Sequence, residues 1–159
     1  MDKKRRTMTG ILILLSALWS GILVGASFLA TTAKFQAPSL ALPVALDVGR
    51  PTFEWMAYTD WGLVGLLALL AGLGPFAAHQ RNLVLKWLSP TALLILLQAV
   101  WLRPALDARV QVYIDGGTPP ESQLHLVFVI FEFAKVFMLL WLAYALLRQA
   151  LVNADKPNP

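Results

Sequence analysis

Four long apolar runs, at residues 10–31, 61–78, 83–101 and 124–147, alternate along this chain with segments that hold most of its charge and proline. Each has about the length a helix needs to cross a hydrocarbon core roughly 30 Å thick. A lipid interior offers no water to backbone amides, so runs of this kind fold there as helices. The pattern predicts an all-α fold: a four-transmembrane-helix antiparallel bundle with short amphipathic exoplasmic connectors. It forms a single integral membrane domain over residues 1–159, ending in a polar tail at 153–159. A cleaved leader is the rival reading of the first run. With 22 residues, that run exceeds the roughly 7–15 apolar residues of such leaders, so the helix is expected to stay.

Polar positions inside the runs are ordered too. In the first, Thr9, Ser16, Ser20, Ser27 and Thr31 fall within an arc of about 60°, and Lys34 prolongs that line. Beside it, Ala17, Gly21 and Gly25 make a small-residue ridge suited to close helix packing. The serines have a plainer reading, bonding back to carbonyls of their own helix. Gly62, Gly65, Ala68 and Gly72 repeat the small-residue pattern in the second run, and Thr91 and Gln98 share a face of the third.

Between the runs, Pro38, Pro43 and Pro51 break residues 34–58 into a connector with a short surface helix near 43–48, and Pro51 suits the first turn of the next helix. His79 to Asn82 read as a tight turn. Trp101-Leu102-Arg103-Pro104 closes the third run. Leu106, Val110 and Tyr113 then mark a short amphipathic helix stopped by Gly116-Gly117. Thr118, Pro119 and Glu121 have the spacing of a helix start for the fourth.

Composition supports the membrane class: 58% of residues are hydrophobic and 14% charged, against roughly 45–50% and 25% in soluble domains. Charge then sets orientation. The side holding both termini carries Lys3, Lys4, Arg5, Arg6, Arg81, Lys86, Arg148 and Lys156, while Lys34, Arg50, Arg103 and Arg109 lie on the other. This bias places both termini in the cytoplasm of a cell membrane, the inner membrane in a bacterium. Asp47, Glu54, Asp60, Asp107, Asp115 and Glu121 are then assigned to the exoplasmic side. The net charge of +4 does not imply nucleic acid, because Lys3 to Arg6 form one juxtamembrane cluster.

The fourth run breaks the apolar rule. His125, Glu132 and Lys135 share one helix face with Phe128, and Lys135 lies about 16 Å from an outer boundary near Leu124, close to mid-bilayer. Ionisable residues at such depth turn inward and find partners. The candidate intramembrane polar site is His125 at the mouth, Glu132 and Lys135 at depth, Gln98 from the third helix, and Ser20, Ser27 and Lys34 from the first. A structural ion pair that orients the helix is the competing reading. Trp19, alone among the tryptophans in being mid-span, is expected to pack inside.

No metal or cofactor is expected. Cysteine is absent, and His79 and His125 fall at opposite faces, which rules out a bis-histidine haem. No catalytic residue, phosphate loop or dinucleotide fingerprint is evident.

The stretch LSALWSGILVGASF, the following KFQAPSLALP, the Trp-Leu-Arg-Pro at 101–104 and a histidine opening the fourth helix resemble the transmembrane protein 205-like family. That resemblance implies a four-helix integral membrane protein of poorly defined role; Glu132 and Lys135 have no counterpart in it. A fainter similarity is to the anthrone-oxygenase-like family. The expected function is a transport-associated or accessory membrane protein, not an enzyme, whose partners are the bilayer, a second copy or a larger complex, and a small ligand or proton. The alternative is a membrane-embedded, cofactor-independent oxygenase or isomerase for a lipophilic substrate, with His125 or Glu132 as general base.

Overall fold

The computed structural model describes residues 3–154. Among these residues there are four continuous helices and no strand: α1 Lys3–Phe35, α2 Leu42–Leu73, α3 Ala78–Ile114 and α4 Leu124–Ala154. Each is long and apolar enough to cross a membrane, and the protein is a multi-pass, all-α four-helix bundle. α1 packs most extensively on α4, and the α1–α2, α2–α3 and α3–α4 contacts complete a ring in which neighbours run antiparallel. Trp19, Leu12, Leu67, Val84, Leu139, Leu142 and Leu146 are at or near zero exposure in the core they share.

The helices overrun the expected spans, mostly at one end. Pro51 is not in the first turn of α2; the helix begins at Leu42, with Pro43 in its first turn, and runs through Pro51. Proline has no N–H for the carbonyl four residues back. Here that carbonyl belongs to exposed Asp47, where solvent can replace the lost partner. α2 stops at Leu73, so Pro75 lies beyond the helix, and His79 to Asn82 form the first turn of α3 where a loop was expected. Trp101 to Pro104 do not end the third span. The chain passes through a π-helical segment, Gln98–Leu102, into the amphipathic helix Arg103–Ile114. Gly116 then takes φ +82°, and Gly117 N–H bonds the Val112 carbonyl, the glycine stop foreseen in the sequence. α4 starts at Leu124, whose N–H is accepted by Ser122 Oγ at 3.1 Å, so Thr118 is not its cap. The expected polar tail is still helical through Ala154, and 155–159 lie outside the described residues.

At 1.5 Å per residue the 32 residues of α2 extend about 48 Å, beyond a hydrocarbon core of roughly 30 Å. Its first turns, the end of α1 and the Arg103–Ile114 stretch of α3 therefore stand together as a cap at the end opposite the termini. At the termini end, Arg5 donates to Gln80 Oε1 at 3.1 Å, and Gln80 Nε2 donates to Thr9 Oγ1 at 2.8 Å, which ties α1 to α3.

The small-residue ridge faces away from the bundle. Ala17 and Gly21 are exposed, and a methyl added at Gly21 or Gly25 would meet no atom within 4 Å. Gly62, Gly65, Ala68 and Gly72 of α2 also face outward. Neither set packs helices inside the chain, because the larger Leu12, Trp19, Leu67 and Ala71 faces do so instead. In detergent unfolding, Leu142→Ala is expected to remove about 2–5 kcal/mol. Gly21→Leu, by contrast, leaves stability equal or higher by up to about 1 kcal/mol, from helix propensity alone.

Candidate functional site

A hydrogen-bonded cluster of ionisable and polar side chains occupies the middle of the bundle, and all four helices contribute to it. On α4, Glu132 and Lys135 are one turn apart and both 1% exposed. Lys135 Nζ lies 2.7 Å from Glu132 Oε1 and donates to Asp60 Oδ2 of α2, also at 2.7 Å. Gln98 Nε2 of α3 donates to Glu132 Oε1 at 2.7 Å, and Ser27 Oγ of α1 lies 2.9 Å from Glu132 Oε2. Trp19 Nε1, also on α1, donates to Asp60 Oδ1 at 2.6 Å.

Asp60 is 4% exposed and lies in the core, not on the exoplasmic side where the sequence pattern places it. The signal was present in the helical spacing: Met56, Asp60, Leu67 and Ala71 all fall on the buried stripe of α2. Adjacency to Trp61, an interfacial type of residue, masked it. Trp19 is fully buried, as expected, and its indole N–H finds the acceptor that a buried tryptophan needs.

Two of the donors lie on π-helical segments, Ser27 in Val24–Ala30 and Gln98 in Gln98–Leu102. Such wide turns are common at functional sites. Local chemistry accounts for both. Thr31 Oγ1 takes up the Ala26 carbonyl at 3.0 Å, and Arg103 N–H reaches the Gln98 carbonyl just before Pro104, which has no N–H to give. The widened turns aim Ser27 and Gln98 at one carboxylate.

The structure divides the other sequence-selected residues. Ser20 is buried, 2% exposed, but its Oγ has no hydrogen-bond partner and does not join the cluster. Ser16 shares that condition. Lys34 and His125 stand at the cap, away from the Lys135 ammonium. His125 lines a groove between α1 and α4 that also reaches Ser27 and Glu132. Arg103, which the sequence did not single out, lines a void of about 10 Å³ beside Asp60, Gln98 and Glu132 but forms no ion pair with either acid. Among the described residues no group of three or more His, Cys, Asp or Glu side chains could hold a metal ion.

Comparison with protein-family models, curated proteins and solved structures finds no match for this chain.

Breaking a buried ion pair leaves an uncompensated charge at a cost of about 3–5 kcal/mol. Lys135→Met is expected to lower unfolding free energy by that amount. Adding Asp60→Asn and Glu132→Gln, which removes both orphaned acids, restores most of it in the same detergent denaturation assay.

Proposed function

We propose that the protein is a transport-associated membrane protein, not an enzyme, in which Glu132 takes up and releases a proton from the side opposite the termini. One observation carries this reading: Lys135 is bonded to two buried carboxylates, Asp60 and Glu132, so the cluster is one positive charge short when all three are ionised. A purely structural pair needs one acid. An unbalanced charge inside a bilayer is strongly disfavoured, and a bound proton is the smallest counter-charge available.

Hydrogen-bond geometry favours Glu132 as the acid that holds it. Both Asp60 oxygens face obligate donors, the Trp19 indole N–H and the Lys135 ammonium. Glu132 Oε2 instead faces a hydroxyl, which serves as donor or acceptor. With Glu132 ionised, Ser27 donates to it; with Glu132 protonated, Oε2–H donates to Ser27 Oγ. The serine proton then turns to Met56 Sδ, 3.6 Å away. Every other bond survives the exchange.

Access is one-sided. The groove lined by Ser27, Thr31, His125 and Glu132 leads toward the cap, whereas Leu12, Leu139, Leu142 and Leu146 pack the core between the cluster and the termini. The charge bias of the loops supports a cell-membrane setting with both termini cytoplasmic, so the groove opens to the exoplasmic side.

Infrared spectroscopy of the protein in lipid tests the proton. A protonated carboxylic C=O band is expected at neutral pH. Glu132→Gln removes that band, and so does Asp60→Asn, which leaves one acid to balance one ammonium. A wild-type spectrum with no such band, or a band that persists in Glu132→Gln, overturns the reading.

A further inference from the structure

The cap encloses a cavity of about 260 Å³ between the end of α1, the first turns of α2, the Arg103–Ile114 stretch and the start of α4. Lys34, Arg50, Arg103 and Arg109 line it, together with His125, and no Asp or Glu does. Two of these cations are already engaged: Arg50 with Asp107 and Gln111, and Arg109 with the Pro120 carbonyl. The side chains of Lys34 and Arg103 have no hydrogen bond and no carboxylate within ion-pair distance among the described residues. The backbone is shaped to hold the first of them. Gly49 is buried, and a methyl there would lie 2.8 Å from Lys34 Nζ, so the missing side chain is the space the ammonium uses.

We propose that this vestibule binds an amphiphilic anion, with Lys34 and Arg103 holding an oxyanion head and the aromatic walls holding an apolar body. Half-buried cations facing an apolar cavity bind anions more strongly than they would in water. Phe35, Phe53 and Phe128 line both this cavity and the neighbouring groove of about 360 Å³, which gives an apolar body room beyond the head. Most small-molecule sites combine apolar walls with few polar groups in this way. The head is a carboxylate on a free amphiphile or a phosphate on an anionic lipid, and the two share this chemistry.

Calorimetric titration of the protein in phosphatidylcholine nanodiscs with octanoate tests the site, with octanol and octyltrimethylammonium as neutral and cationic controls. Saturable binding is expected for octanoate alone. Loss of one charge-assisted contact weakens it about tenfold or more in Lys34→Met and in Arg103→Gln. Gly49→Ala keeps every charge, fits a helix interior and displaces the ammonium, and it too weakens octanoate. Octanoate binding no tighter than octanol, or unchanged in these variants while they remain folded, overturns the site. Discs doped with phosphatidylglycerol separate the sources: competition with octanoate supports the site with a lipid head, and independence supports it with a free carboxylate.

Discussion

A single ammonium between two carboxylates holds the four helices in register. Lys135 is bonded to Asp60 of α2 and Glu132 of its own helix, and those acids are held by Trp19 and Ser27 of α1 and Gln98 of α3. A slip of any helix by one turn would leave a charge or donor without its partner in a medium that offers no replacement. The net stabilisation from such a cluster is modest once desolvation is counted. Its effect is selective: it penalises every other packing of the same apolar faces, which by themselves distinguish poorly between neighbouring registers. Apolar contacts are non-directional, and a short N–H···O bond is not.

The cluster also explains two local irregularities. π-helical turns at Val24–Ala30 and Gln98–Leu102 interrupt otherwise regular helices, and each places a neutral donor on Glu132. An α-helix of fixed pitch on α1 and α3 would not bring both donors to one carboxylate by default. Thr31 on one helix and Pro104 on the other supply the local reason for the wide turn, and the bond to Glu132 uses it. Glu132 thereby has three donors around it, one of which, the Ser27 hydroxyl, is able to reverse.

The two ends of the molecule differ in kind. Toward the termini, leucines close the core, and Arg5, Gln80 and Thr9 clamp α1 to α3. At the other end the helices overrun the membrane thickness and separate into a cap with cationic and aromatic walls. A closed leucine core, the central polar cluster and an open basic vestibule thus follow one another along the bundle axis. Arg103 stands where the vestibule and the cluster meet, facing both.

Much of this was legible in the order of residues alone. Four lipid-length apolar runs leave the helix as the only way to satisfy backbone amides, so class and helix number followed from composition and spacing. The inward turn of Glu132, Lys135 and Trp19 followed from the expense of exposing them to acyl chains. The helix ends did not, because proline penalties are local: Pro51 sits where water can take the freed carbonyl, and a wide turn precedes Pro104, so neither stopped its helix. Nor did the sequence show which neighbours answer which charge. Asp60 meets Lys135 across 75 positions of chain, and Lys34 meets the space left by Gly49, contacts set by how α2 lies against its neighbours. The outward face of Gly21 and Gly25 was decided in the same way, when the bulkier side of α1 took the core. Hydropathy along a chain records what must leave water; only the packed bundle determines which groups meet once it has left.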